Sequence, residues 1–204
     1  MQERKKPKVS IVIALFNLED LVLRALESIP KRDDIEIIVV DDCSTDNSLN
    51  VVLKFWADTD ANMKVIRHKV NKGNGVAFNT AIDFCEGDYI YVFDPDDYLY
   101  TDEWEKALGY LDGTDIVYVD ADINDGTVLT TDDGNHNRCA FWFKFIRREY
   151  LGAEKRVFNA YGGDYEMNIK LVSRPHTSKQ TGLLVYHYNY PREGSVIWNL
   201  THDI

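Results

Sequence analysis

Short runs of β-branched and aromatic residues, each closed by a polar turn and most followed by an amphipathic stretch, set the fold class of this chain. Val9 to Leu15 (VSIVIAL) reads as a buried strand. Leu18, Leu21, Val22, Ala25, Leu26 and Ile29 then recur as one helical stripe, with Asn17 the expected N-cap and Pro30 a stop. Ile35 to Val40 predicts a second strand that runs into Asp41-Asp42, and Ser44 to Ser48 can cap a helix whose inner face is Leu49, Val52, Leu53 and Trp56. Lys64 to His68 predicts a third strand, Val76 to Phe84 a helix, and Tyr89 to Phe93 a fourth strand that delivers Asp94-Pro95-Asp96-Asp97. This βα rhythm predicts an α/β fold with a mainly parallel central sheet, helices on both faces, in a single domain.

Later segments are less regular. Trp104 to Leu111 reads as a helix with Thr101 a possible cap, Ile116 to Val119 as a strand, and Asp120 to Asn137 as a polar loop. Cys139 to Ile146 reads as a strand and Asp164 to Val172 as a helix. Leu183 to Tyr190 alternates two faces, with Leu183, Val185, His187 and Asn189 on one side.

In an open α/β sheet, ligands bind beyond the carboxyl ends of the strands. Asp41-Asp42 and Asp94 to Asp97 are both expected at that edge. The acidity is local: residues 94–133 hold 13 acidic residues and one basic residue, while the whole chain carries a formal charge of −11. A cluster of that sign suits cations and argues against a nucleic-acid groove, which needs a basic stripe. Three carboxylates within four residues repel unless a cation lies among them, and Mg²⁺ or Mn²⁺ takes oxygen ligands of this kind. A solvated turn is the plainer reading of Asp94 to Asp97, and an Asx turn or helix cap that of Asp41-Asp42.

Cys43, Cys85 and Cys139 match no metal or redox spacing and read as reduced, buried small residues in a cytoplasmic protein. No apolar run reaches the roughly 18 residues of a membrane span, and the stretch after MQERKKPK does not read as a signal peptide.

Together VSIVIALFN, EIIVVDDCSTDNS and NKGNGVAFNTAIDFCEGDYIYVFDPDDYL resemble, in order and spacing, the nucleotide-binding half of family 2 glycosyltransferases of the GT-A fold. The resemblance covers about residues 8–100 and leaves 101–204 as the acceptor half of the same domain. It implies a nucleotide-sugar donor, usually a UDP- or dTDP-sugar. Asp41 would contact the base with Asp42 beside it, and Phe16-Asn17 would line the base pocket. Asp94 and Asp96 would form the D-x-D motif that holds Mn²⁺ or Mg²⁺ against the diphosphate; Asp97 would contact ribose or shape the turn. Asn79 keeps its place in the family's Ala-Arg-Asn pattern as a donor contact.

More thinly, Gly162-Gly163-Asp164-Tyr165-Glu166 is similar to the family's acceptor-side acidic pair, which makes Asp164 the general base, an N-cap, or both. Tyr186-His187-Tyr188 and Arg192-Glu193-Gly194-Ser195 are similar to its closing segment, with His187 either a third metal ligand or a satisfied sheet histidine. There are departures. The proline before the aromatic-Asn pair is missing, Cys43 replaces a glycine, Gly163 a glutamate, and Phe78 the arginine of Ala-Arg-Asn, with Lys72 the nearby cation that could compensate.

The resemblance implies metal-dependent inverting transfer to a glycan, lipid-linked or other hydroxyl acceptor. Two rivals stand beside it: a non-catalytic nucleotide- or glycan-binding protein, motivated by Phe78 and Gly163, and a nucleotidyltransferase, for which a basic glycine-rich triphosphate loop is missing. Trp142, Phe143, Phe145, Tyr161, Tyr165, Trp198 and the tyrosines near 188 are core residues or sugar-stacking faces. Lys144, Arg147, Arg148, Lys155 and Arg156 are a solvated face or an attraction for an anionic acceptor or membrane surface.

Overall fold

A computed structural model describes residues 8–131, 140–152 and 163–193. The first β-branched runs form β1 (Val9–Leu15), β2 (Ile35–Asp41), β3 (Met63–Arg67) and β4 (Tyr89–Val92), joined by the crossover helices α1 (Val22–Ser28), α2 (Ser48–Asp58) and α3 (Asn74–Asp83). All four strands pair parallel, and the register sets Leu15 beside Asp41, Asp41 beside Arg67, and Val12 beside Val92. Their carboxyl ends therefore share one edge.

The rest of the chain supplies β5 (Tyr98–Leu99), α4 (Thr101–Ala107), β6 (Ile116–Ile123), β7 (Val128–Leu129), β8 (Lys144–Arg147), α5 (Arg148–Leu151), α6 (Gly163–Val172) and β9 (Ser178–Tyr188). Among the described residues one sheet runs β3-β2-β1-β4-β8-β6-β9-β5, with β7 on β6. β8 is antiparallel to β4 and β6, β9 is parallel to β6, and β5 is antiparallel to β9. The sheet is thus parallel in its first half and mixed in its second, where the sequence predicts a mainly parallel one. Among the described residues of the connection from β7 to β8 there is a 3₁₀ turn at Phe141–Phe143, and β8 then enters antiparallel to both β4 and β6.

Helices cover both faces. Val9, Ile11, Ile13 and Leu15 of β1 pack with Val22, Ala25 and Leu26 of α1 and Trp104 and Ala107 of α4. Val12 packs on the other face with Ala77, Phe78 and Ala81 of α3 and Met167 and Leu171 of α6. Phe78, where the resemblance implies an arginine, is core.

Local expectations differ from the structure where a distant partner decides. Asn17 is no N-cap: it has φ 52°, α1 is capped from Leu21 without a side-chain bond, and Asn17 Oδ1 accepts from the Thr45 N–H at 2.8 Å. The inner face of α2 is Ser48, Val51, Val52 and Phe55, while Leu53 and Trp56 are exposed. The polar stretch after Val119 continues β6 to Ile123 and turns into β7. Cys85 is buried as expected, but Cys43 is half-buried at φ 68°, a left-handed position that explains why glycine suits it. Cys139 lies outside the described residues. Lys144 is fully buried and Arg147 binds Asp115, so these two form no solvated basic face, whereas Arg148 is exposed while its Nε donates to the Gly87 carbonyl. Trp142, Phe143 and Phe145 are core, whereas Tyr161, Trp198, Lys155, Arg156 and the Tyr165 side chain lie outside the described set.

At the amino-terminal edge, Glu36 is 1 % exposed and its Oε1 accepts from Ser10 Oγ (2.5 Å), Glu86 N (2.5 Å) and Gly87 N (2.9 Å). Position 87 admits glycine alone, because a Cβ there would lie 2.6 Å from Ser10 N and Oγ.

Candidate functional site

The carboxyl edge is built by loops that zip together. Asn17 N donates to Ser44 Oγ (3.1 Å), Leu18 N to Ser48 Oγ (2.7 Å), Glu19 N to Asp46 Oδ2 (3.1 Å), and Asn47 N to Glu19 Oε2 (2.7 Å). Small hydroxyl and acidic side chains at these positions let the loops after β1 and β2 satisfy each other's backbone. Phe16 is left 43 % exposed beside them.

Asp41 ends β2 fully buried. Its Oδ1 accepts from Ser44 N at 3.1 Å, whereas its Oδ2 accepts no hydrogen bond and faces Arg67 Nε at 3.1 Å. Arg67 is half exposed and also donates from Nη2 to the Ser44 carbonyl at 3.0 Å, so a cation roofs the carboxylate expected to meet a base. Sequence reasoning missed Arg67; its signal is that it ends β3, one strand over from Asp41. Asp42 has a different task. It accepts from Lys72 N (2.9 Å) and Gly73 N (2.7 Å) and faces His68 Nδ1 (2.6 Å), which makes it the anchor of the Asn71–Gly73 loop ahead of α3. Asn79 sits half-buried on α3.

Two strands away, roughly 10 Å at the usual strand spacing, β4 ends in the Asp94-Pro95-Asp96-Asp97 turn, closed by the Asp97 N–H donating to the Asp94 carbonyl at 3.2 Å. Asp94 and Asp96 are half-buried. Arg192 grips Asp96 Oδ2 through Nε (3.1 Å) and Nη2 (2.7 Å). Asp97 is 0 % exposed and accepts from Tyr186 Oη (2.5 Å) and Asn189 N (2.8 Å). Burial, then the neighbouring Asp96 charge, push its pKa up to about 8 against those hydrogen bonds. Of the two roles expected for Asp97, shaping the turn is therefore the one its geometry serves, and a ribose contact is not.

His187 is likewise a sheet histidine. Its Nδ1 lies 2.7 Å from Asp122 Oδ1, its Nε2 lies 3.0 Å from Asn124 Oδ1, and its ring stacks on Tyr98 at 4.3 Å. Neither nitrogen is left for a metal at Asp94 and Asp96. Alternation along β9 explains this, because Tyr186 takes the face toward the turn and its neighbour takes the other. Asp164 lies within α6, with its side chain outside the described set.

The donor set at Asp94 and Asp96 is all oxygen and suits a hard divalent cation, although no group of three His, Cys, Asp or Glu able to hold a metal occurs among the described residues. Two carboxylates match the way Mg²⁺ is commonly held, with water and ligand phosphates completing the shell. A groove of about 750 Å³ between α1 and α2, lined by Leu23, Val51 and Phe55 among others, shares no residue with either acidic turn.

A model of the family described as Glycosyl transferase family 2 matches residues 10–167. The chain belongs to that family. Among curated relatives, the poly(ribitol-phosphate) beta-N-acetylglucosaminyltransferase TarS of Staphylococcus aureus is 33 % identical over 110 residues, which are 52 % of this chain and 19 % of that protein. A poly(ribitol-phosphate) beta-glucosyltransferase of Bacillus spizizenii is 41 % identical over 97 residues, 45 % of this chain and 15 % of that protein. The chain thus matches less than a fifth of the length of either relative. Among solved structures, S. aureus TarS 1-349 in complex with UDP-GlcNAc superposes with a TM-score of 0.80 at 22 % identity, over 92 % of this chain and 60 % of that one. The mannosyltransferase PcManGT of Pyrobaculum calidifontis, in complex with GDP-Man and Mn²⁺, superposes with a TM-score of 0.75 at 18 % identity, over 96 % of this chain and 61 % of that one. The fold of this family 2 chain is accordingly GT-A. Among its described residues no helix is long and apolar enough to cross a membrane.

Proposed function

We propose that this family 2 chain transfers a sugar from a nucleoside-diphosphate sugar, with a UDP-sugar the first choice, to an acceptor hydroxyl with inversion and with help from Mn²⁺ or Mg²⁺. The observation that carries the reading is the pair of half-buried carboxylates, Asp94 and Asp96, on the turn that ends β4 of a GT-A sheet. Solved neighbours bound to UDP-GlcNAc and to GDP-Man with Mn²⁺ support the donor class and the metal. Relatives named for poly(ribitol-phosphate) support a polyol or glycan acceptor, lipid-linked or free. The cytoplasm is the compartment we assign, on the reading of the thiols as reduced.

In this mechanism Phe16 and Asn17 wall the base pocket, and Asp41 with its Arg67 partner forms the floor. Asp42 and Asn79 act from the loop and helix of α3, Asp42 by holding the Lys72–Gly73 backbone. Asp94 and Asp96 would hold a divalent cation, which when bound would neutralise charge developing on the leaving diphosphate. Asp164 takes the acceptor hydroxyl proton as the oxygen attacks the anomeric carbon, and the bond from that carbon to the diphosphate oxygen breaks. Base catalysis of this kind contributes ~10²–10⁴-fold. No enzyme nucleophile is needed.

The test is release of UDP from UDP-sugars in the presence of polyol-phosphate or glycan acceptors. Turnover that Asp164→Asn abolishes in a folded protein is expected; unchanged turnover in that variant overturns the assignment. Release of pyrophosphate instead of UDP would mark a nucleotidyltransferase. A second reading is favoured by one observation, the packing of Phe78 in the core at the position where the resemblance implies an arginine: the protein binds nucleotide without turnover. Metal-dependent UDP binding with no product from any acceptor is the outcome that selects it.

A further inference from the structure

Asp96 meets two guanidinium groups. Arg192, past the end of β9, chelates the single oxygen Oδ2 through Nε and Nη2, and both partners of this ion pair are largely buried, at 24 % and 19 % side-chain exposure. Arg24 of α1 donates from Nη2 to the Asp96 carbonyl at 2.7 Å while its guanidinium lies over the Tyr98 ring at 5.2 Å. The same stretch that carries Arg192 is fastened to the turn twice more, by Asn189 N on Asp97 Oδ1 (2.8 Å) and Asn189 Nδ2 on the Asp96 carbonyl (3.2 Å).

A forked guanidinium uses the lone pairs of Oδ2 that a divalent ion would use, and a cation held there repels a second one brought to either oxygen of the same carboxylate. The repulsion between Asp94 and Asp96 that called for a cation is thereby answered from within the chain. We propose that Arg192 is an exchangeable counter-ion of this turn: it occupies Asp96 in the free protein and must be displaced for a divalent cation to bind there. Metal loading and release of the 189–192 segment are then one coupled event. The inference rests on the proposed metal role of Asp94 and Asp96 and goes beyond it, since that role by itself assigns nothing to Arg192.

The experiment measures Mn²⁺ binding to the whole chain by electron paramagnetic resonance, with and without UDP, in the wild type, Arg192→Ala, Arg192→Lys and Asp94→Ala. It also follows hydrogen exchange across residues 189–192 of the wild type as Mn²⁺ is added. Without nucleotide, Arg192→Ala is expected to bind Mn²⁺ about tenfold more tightly than the wild type, the scale of one charge-assisted contact. Arg192→Lys, which keeps the charge but loses the fork, should fall between. The Asn189 amide should lose protection as Mn²⁺ binds the wild type. Equal or weaker Mn²⁺ binding in Arg192→Ala overturns the inference, and so does Asn189 protection that Mn²⁺ leaves unchanged, an arm that needs no variant to fold. If either result comes with Mn²⁺ binding that Asp94→Ala abolishes, the metal reading survives. If no protein binds Mn²⁺ even with UDP, both fail.

Discussion

Glu36 and Asp115 at the amino-terminal edge are held differently from Asp41 and Asp96 at the carboxyl edge. At the amino-terminal edge, Glu36 is enclosed by Ser10, the Glu86 and Gly87 amides and Lys64 Nζ at 3.3 Å from Oε2, while Asp115, just ahead of β6, accepts from Thr177 N (2.8 Å), Thr177 Oγ1 (2.9 Å) and Arg147 Nη2 (2.6 Å). These partners are mostly backbone and short side chains, which cannot leave without unfolding the edge. At the carboxyl edge, Asp41 and Asp96 face Arg67 and Arg192, long side chains that are 51 % and 24 % exposed. A carboxylate closed off by backbone, as Asp42 and Asp97 also are, opens only with its loop; one that faces a long side-chain cation is, on the proposal above, the kind a ligand can reach.

Substitution at each edge breaks or sharpens that contrast. The largest effect is expected at Asp96→Ala: transfer should fall at least ~100-fold, because the charge on the departing diphosphate goes unanswered, while the urea unfolding midpoint stays near that of the wild type. A collapse of stability in this variant would make the turn architectural after all. Next comes Glu36→Ala, which strands the buried Gly87 amide and Ser10 hydroxyl and the part-buried Glu86 amide and should cost about 3 kcal/mol in urea denaturation, with donor affinity unchanged in the folded fraction. Gly87→Ala should cost about 2 kcal/mol by forcing a Cβ onto Ser10, measured in the same way.

The smallest effect is expected in acid. Burial opposes ionisation of Asp115, but the hydrogen bonds from Thr177 and Arg147 outweigh it and lower its pKa below the ordinary 3.8. An acid with a depressed folded pKa stabilises fully above its unfolded value and loses that contribution as pH falls through the folded one. Stability should therefore decline below about pH 4, and Asp115→Asn should flatten that part of the profile in a pH series of unfolding curves. An unchanged slope would remove Asp115 from the structural set.

Much of this was legible in the sequence where local chemistry decides. β-branched runs marked β1, β2 and β4, and the aspartates after them do stand together at the carboxyl edge. What stayed hidden depends on residues far apart in the chain. Arg192 and Asp96 are joined across a separation of 96 positions, and Tyr186 and Asp97 across 89, so neither the competing cation nor the burial of Asp97 leaves a local pattern. Asn17 looked like a cap because Asn caps helices, but its acceptor is taken by Thr45 from the next loop. Leu53 and Trp56 fit a helical stripe one step away from the one that packs, since α2 is rotated to set Val51 and Phe55 on the core. Lys144 read as surface charge, yet its ammonium donates to Asn168 Oδ1 at 2.7 Å inside the fold.

The central claim is that the turn ending β4 binds a nucleoside diphosphate through a divalent ion. Calorimetric titration of UDP with Mn²⁺ and with chelator, into the wild type and Asp96→Ala, tests it most directly. The account predicts binding that requires Mn²⁺ and that Asp96→Ala abolishes while the variant still unfolds cooperatively. UDP binding of equal strength with chelator, or in Asp96→Ala, would contradict it.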